Sequence, residues 1–226
     1  MKRLAGICLK TLTVSAMAIG IATAAAAKDS EKITRNLDLS GFDRVEISGV
    51  YELNVAVGSD YSIELFGPED EMDRVEASVK NGVLVLDQRD RRRGEKRRRW
   101  NKNREGIDAV ITLPSLIGLD VSGVVDGEIS GIDSDRFDID ISGVGDVDLD
   151  GECGTLDADV SGVGDLDAEG LQCRVVSVEV SGVGSASVYA SDEVDAEVSG
   201  MGDIDVYGSP EKVRKENSMF ADVTVH

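Results

Sequence analysis

The chain has 226 residues and a formal charge of −20, with 44 Asp and Glu against 24 Lys and Arg. Such an acid excess favours solubility and works against broad attraction to intracellular nucleic acid or anionic membrane. Aromatic residues make up only 4% of the chain, so a core must be built from Val, Ile, Leu and Ala. Regular apolar alternation sets the chain apart from acidic sequences that stay unfolded.

At the N-terminus, Lys2, Arg3 and Lys10 precede an uncharged apolar stretch from Thr11 to Ala27. It ends in Ala25-Ala26-Ala27, the layout of a secretory signal peptide cleaved after Ala27. The stretch is shorter than the roughly 20 apolar residues of a membrane span, and Lys28, Asp29 and Glu31 follow at once. The expectation is an exported chain beginning near Lys28, with no transmembrane anchor after cleavage. Its destination is the periplasm, the outer cell surface or the medium. Loss of Lys2, Arg3 and Lys10 takes the charge from −20 to −23.

Residues 28–88 read as irregular first strands. Val45, Ile47, Val50, Leu53, Val55 and Val57 alternate with polar residues, Gly67-Pro68-Glu69-Asp70 marks a turn, and Asn81-Gly82 marks a tight hairpin. Residues 89–106 form a basic loop. Arg89 to Arg104 holds ten Lys and Arg against Asp90 and Glu95, whereas Ile107 to Gly208 holds 24 Asp and Glu against Arg136 and Arg174. Such a block reads as a solvated excursion. Two sharper readings stand beside it. Arg91, Arg92, Arg93, Arg97, Arg98 and Arg99, with Trp100 as a stacking residue, could contact an anionic partner. The block could also dock onto this chain's own acid-rich half, an attraction that salt weakens.

Residues 107–210 repeat. Ser122, Ser142, Ser161, Ser181 and Ser199 each follow Val or Ile and precede Gly, at steps of 18 to 20 residues. Counted from each Ser, the residues one, three and five positions earlier are apolar, as in Val160, Ala158 and Leu156. Those two later (Val124, Val144, Val163, Val183, Met201) and seven later (Ile129, Leu149, Ala168, Val188, Val206) are apolar too and are read as inward. Each unit thus holds two strand runs joined by a glycine bend. A twenty-residue unit cannot bury its own apolar side, but stacked units can. The expected architecture is a single all-β parallel solenoid over 28–226, with regular coils over 107–210 and a C-terminal cap over 211–226.

Stacking aligns further columns. Cys153 and Cys173 each stand eight residues before a Ser, on neighbouring units, which places their Cα atoms about 5 Å apart, within disulfide range. Two positions before the Ser stand Asp120, Asp140, Asp159, Glu179 and Glu197. Four after it stand Asp126, Asp146, Asp165, Ser185 and Asp203. These acids are either a solvated face that resists edge association or a candidate cation ladder of hard oxygen ligands for calcium. The Ser column lacks an activating base, since the single His is His226. It reads as a hydroxyl ladder, and no catalytic residue or cofactor site is assigned.

The segments SGVGDVDLDG, SGVGDLDAEG and SGMGDIDVYGSP, with the entry FDRVEISGVYELNVAVGSDYSIELFGPED and the following NGVLVLD, resemble the bacterial head GIN domain family, labelled as auto-transporter adhesins. The likeness runs from about Ile33 to Pro210. It implies a right-handed parallel β-helix exposed outside the cytoplasm. The function expected is a non-enzymatic envelope binding or scaffold protein contacting envelope polysaccharide or a protein partner. The alternatives are an Asp-rich polysaccharide-acting enzyme and a calcium-binding structural protein.

Overall fold

The computed structural model describes residues 32–89, 106–219 and 221–226. The signal segment with Ala27, and the basic residues Arg91, Arg92, Arg93, Arg97, Arg98 and Arg99 with Trp100, lie outside the described residues.

Period-two alternation of apolar and polar side chains makes most of the chain strand. The first half contains β1 (Lys32–Leu37), β2 (Arg44–Ser48), β3 (Val50–Val57), β4 (Ser62–Pro68), β5 (Val75–Lys80) and β6 (Val83–Gln88). The second contains β7 (Ile107–Leu113), β8 (Gly118–Val121), β9 (Val124–Ile141), β10 (Val147–Val160), β11 (Leu166–Val180), β12 (Ala186–Val198), β13 (Gly202–Tyr207), β14 (Lys212–Asn217) and β15 (Ala221–Val225). The Gly67–Asp70 turn is extended to Pro68 and then becomes a one-turn helix, α1 (Glu69–Met72). Glu69, Asp70 and Glu71 crowd its first turn, where the helix dipole favours acid. The Asn81-Gly82 hairpin forms as the sequence suggests, with both residues at positive φ (52° and 83°) between antiparallel β5 and β6.

The strands join one sheet in the order β1-β4-β7-β3-β9-β10-β11-β12-β13-β15, with β2, β5, β6, β8 and β14 paired off that path. From β9 to β12, parallel pairs run in register at the repeat spacing: Val160 faces Ile141 on one side and Val180 on the other. The first half is mixed. β4 runs antiparallel to both β1 and β7, while β3 runs parallel to β7 and β9.

The expected right-handed parallel β-helix is therefore corrected to a fifteen-stranded mixed sheet. Two features overturn the coil picture. The glycine bends form between β8, β9 and β10, but the short strand runs on either side of them continue into the neighbouring units, so β9 is one unbroken strand from Val124 to Ile141. The early strands were expected to continue into the same solenoid, but β4 pairs antiparallel with both β1 and β7, in addition to the β5–β6 hairpin. The physical reason is that a repeat period specifies which residue lies beside which. Closure and handedness depend on the path of the whole chain, which a period does not encode.

Alternate residues of most strands gather in one apolar cluster that runs from Phe42 to Val223, while β14 is exposed along its whole length. Val160, Val180, Leu156 and Ala168 are fully buried in it. Small and branched aliphatics dominate, as the composition requires, and among the described residues Phe42 and Phe137 are the fully buried phenylalanines.

The Ser-Gly-x-Gly segments link successive long strands, and their glycines are needed for close approach. A Cβ on Gly143 would stand 2.1 Å from the Gly123 carbonyl oxygen, and one on Gly164 would stand 1.9 Å from that of Gly145. In the first unit Val125 stands where the other four carry the second glycine, and its neighbour explains the difference. It lies beside Tyr51 of β3 rather than above a glycine, and its side chain is buried there.

Candidate functional site

The Ser-Gly-x-Gly segments and the strands flanking them line up chemistry in columns. The acids two positions before the Ser stack in register: Asp120 beside Asp140, Asp140 beside Asp159, Asp159 beside Glu179, and Glu179 beside Glu197. All five are exposed. The ladder is longer than the sequence reading, for Glu46 pairs with Asp120 and Glu216 with Glu197. A signal for both was present: Glu46 stands two residues before Ser48, and Glu216 two before Ser218.

Stacked strands are about 4.8 Å apart, so neighbouring carboxylates crowd one another. Partial burial, then repulsion from Asp140 and Glu46, holds the Asp120 carboxyl above its ordinary pKa. Burial, then Asp140 and Asp157, does the same for Asp159. Among the described residues, none of Asp120, Asp140, Asp159, Glu179 and Glu197 takes part in an ion pair.

The adjacent column is different because cations interrupt it. Asp138 accepts from Arg44 Nη2 at 2.5 Å and from Arg136 Nε at 2.7 Å, and Arg136 also reaches Asp157 at 2.6 Å. Burial alone would raise the Asp138 pKa, but the hydrogen bonds from Arg44 and Arg136 outweigh it and bring it below the ordinary value. Lys212 and Arg214 meet Glu193 and Asp195 at the far end.

The acids four positions after the Ser serve the backbone. The Asp165 N–H donates to Asp146 Oδ1, that of Ser185 to Asp165 Oδ1, and that of Asp222 to Asp203 Oδ1. Each carboxylate is thus tied to the next strand along. The Ser column also serves the backbone, with Ser122 Oγ donating to Ile47 O and Ser142 Oγ to Val121 O. His226 lies apart from that column, hydrogen-bonded to Asp205 and stacked on Tyr207. Among the described residues, no three His, Cys, Asp or Glu side chains converge to hold a metal ion.

Cys153 and Cys173 are disulfide-bonded between β10 and β11, with Cα atoms 4.5 Å apart. An open depression of about 660 Å³ surrounds the bridge, lined by Asp133, Asp135, Glu152, Gln172, Arg174 and Tyr189.

One column is corrected. Val124, Val144, Val163, Val183 and Met201, read from sequence as inward, are 44–57% exposed. They bridge one another in the parallel sense and form an apolar ridge between two glycine columns. Strict parity across the Ser gives this answer: odd offsets face the core, and the position two after the Ser is even. The inward residue beyond the link is five after the Ser, as in Val147, Leu166, Ala186 and Ile204, all buried.

The family model described as "putative auto-transporter adhesin, head GIN domain" matches residues 41–210. The chain belongs to this family. The GIN domain also has likenesses among solved structures. A protein from Bacteroides fragilis described as a putative adhesin is 22% identical, with a TM-score of 0.69 over 88% of this chain and 98% of that one. A putative adhesin from Parabacteroides distasonis is 16% identical, with a TM-score of 0.51 over 87% of this chain and 98% of the other. These likenesses concern the fold. No curated protein matches the GIN domain chain in sequence. No helix among its described residues is long and apolar enough to cross a membrane.

Proposed function

We propose that this GIN-domain protein is an exported binding or scaffold protein of the cell envelope that works without catalysis. The observation that carries this reading is the ladder from Glu46 through Asp120, Asp140, Asp159, Glu179 and Glu197 to Glu216. It is one continuous solvent-facing acid column across seven strands. A rigid sheet presenting evenly spaced groups suits contact with an extended partner, polysaccharide or protein, and membership of an adhesin family fits that use. Paired acid and base carboxyls are typically set apart by contrasting surroundings, whereas the ladder acids all stand on the solvent face beside one another. The disulfide supports an oxidising compartment.

Fractionation of the cells that make the protein tests export. The expected result is a product lacking residues 1–27 outside the cytoplasmic membrane, retained by isolated envelopes. Full-length protein confined to the cytoplasm would refute export, and hydrolysis or lyase activity on envelope glycans, lost on substitution of ladder acids, would refute the non-catalytic reading.

A further inference from the structure

The exposed ridge of Val124, Val144, Val163, Val183 and Met201 is unlike the rest of the solvent face. The columns immediately beside it are glycine except at Val125, and a Cβ on those glycines would stand 1.6–2.1 Å from a backbone oxygen of the neighbouring unit. The aliphatic side chains therefore stand up between two bare backbone troughs. Four steps of about 4.8 Å make the ridge about 19 Å long. Backbone hydrogen bonds hold it in place on both sides, with Val163 N–H donating to Gly143 O at 3.0 Å and Gly164 N–H to Val183 O at 3.1 Å. On one side the exposed Ser column and then Asp120, Asp140, Asp159, Glu179 and Glu197 follow, and on the other Asp126, Asp146, Asp165 and Asp203 stand directly next to the glycines. A threonine column would meet the strand preference for branched side chains equally well, so strand geometry alone does not account for a wholly apolar row.

We propose that this ridge, with its two acid borders, is a docking surface for a basic amphipathic protein segment. Its apolar side chains cover the aliphatic row and its Lys or Arg side chains meet the carboxylates. The inference rests on the reading of the chain as a binding protein and names the chemistry of the partner. Charge decides among occupants. A second copy would set acid borders against acid borders, which repel. An anionic membrane would meet the same borders, and its negative surface potential disfavours them. A basic segment gains from both features of the surface, with the acid borders steering its approach.

The probe is an amphipathic Leu–Lys helix of about 14 residues, which spans about 21 Å and so covers the ridge. Two control peptides accompany it, one with every Leu changed to Ser and one with every Lys changed to Glu. Fluorescence anisotropy measures binding to three forms of the protein spanning residues 28–226: wild type, Val144→Ser/Val163→Ser, and Asp140→Asn/Asp159→Asn. The substituted side chains are exposed, and a single cooperative melting transition shows that each variant folds. The expected result is that wild type binds the Leu–Lys helix in preference to both controls. The ridge variant loses affinity by about tenfold or more, as removal of buried apolar area requires, and the acid variant shows a shallower salt dependence. Absence of binding to wild type overturns the proposal. So does equal binding of the Leu-to-Ser peptide, or equal binding by the ridge variant, since either means charge attraction alone. Ridge-dependent self-association in sedimentation, or ridge-dependent binding to phosphatidylglycerol vesicles, assigns the surface to another occupant. If the ridge variant still binds isolated envelopes as wild type does, the docking assignment fails while the broader envelope reading stands. Loss of envelope binding by every form, wild type included, removes the broader reading.

Discussion

Gly164→Ala is the most decisive test of how the strands are held together. Gly164 has a φ of 154°, and an added Cβ would stand 1.9 Å from Gly145 O and 2.8 Å from Gly145 C. Contact with an oxygen needs a little over 3 Å, so the strands must part locally by more than about 1 Å at a normal spacing near 4.8 Å. The hydrogen bonds from Gly164 N–H to Val183 O (3.1 Å) and from Val163 N–H to Gly143 O (3.0 Å) lie in the path of that shift. Each is worth about 1 kcal/mol, and an orphaned group costs about 1–3 kcal/mol more. The expected destabilisation is about 2–4 kcal/mol, a fall in Tm of roughly 5–15 °C for a domain of this size. Gly127→Ala is the internal control. Gly127 occupies the inward column that holds Val147, Leu166 and Ala186 elsewhere, and its Cβ would meet only apolar side-chain atoms at 3.5–3.8 Å. That change should be neutral or stabilising by up to about 1 kcal/mol. Thermal and urea unfolding of both variants checks the pair. A Gly164→Ala protein melting within about 2 °C of wild type, or a Gly127→Ala protein falling as far as Gly164→Ala, refutes the account of the links.

Asp159→Asn should raise Tm by about 1–4 °C in low salt, because each ladder neighbour about 5 Å away repels by about 0.8 kcal/mol in a water-like dielectric. The gain should shrink in about 1 M NaCl, where the screening length is near 3 Å. Stability should rise as pH falls through the raised carboxyl pKa values towards the unfolded one. Burial and neighbouring carboxylates raise the Asp120, Asp148 and Asp159 pKa values above the ordinary 3.8. Their stabilisation is therefore full below the unfolded value and lost as pH rises through the higher folded ones. A Tm that falls steadily from pH 7 to pH 5 contradicts this. Alkylation without reductant should leave Cys153 and Cys173 unmodified, and Cys153→Ser/Cys173→Ser should cost about 3 kcal/mol for a bridge that spans 20 residues. A matched Tm would show that the bridge adds nothing. Because no three ligating side chains converge among the described residues, calcium chloride should raise Tm no more than a sodium chloride control of equal ionic strength. A calcium-specific rise would establish the ladder as a cation site.

Columns two and four positions from the repeated Ser were legible because period-two alternation and a step of 18 to 20 residues leave little freedom of register. That is why the Cys153–Cys173 pairing could be read before any coordinates, and why Asp140 could be placed beside Asp159. The Val163 column was misread through a parity slip across the glycines, although the parity itself was on the page. The roles of the two acid columns were not legible. Asp146 and Asp159 are the same residue type on the same outward parity. The first accepts a neighbouring strand's N–H and the second accepts none among the described residues, a distinction that depends on backbone direction at the link.

The sequence by itself determined the repeat, the register it imposes, the aliphatic composition of the core and the acid character of the solvent face. These follow from local alternation and a fixed period. Only the tertiary structure decided that β4 pairs antiparallel with β1 and β7, that β9 runs without a break, and that the apolar column stands exposed as a ridge among the glycines. Those features depend on how distant backbones approach one another. Gly164 shows the difference: its place in the repeat is local, but its necessity comes from an oxygen nineteen residues earlier, on Gly145, lying where a Cβ would go.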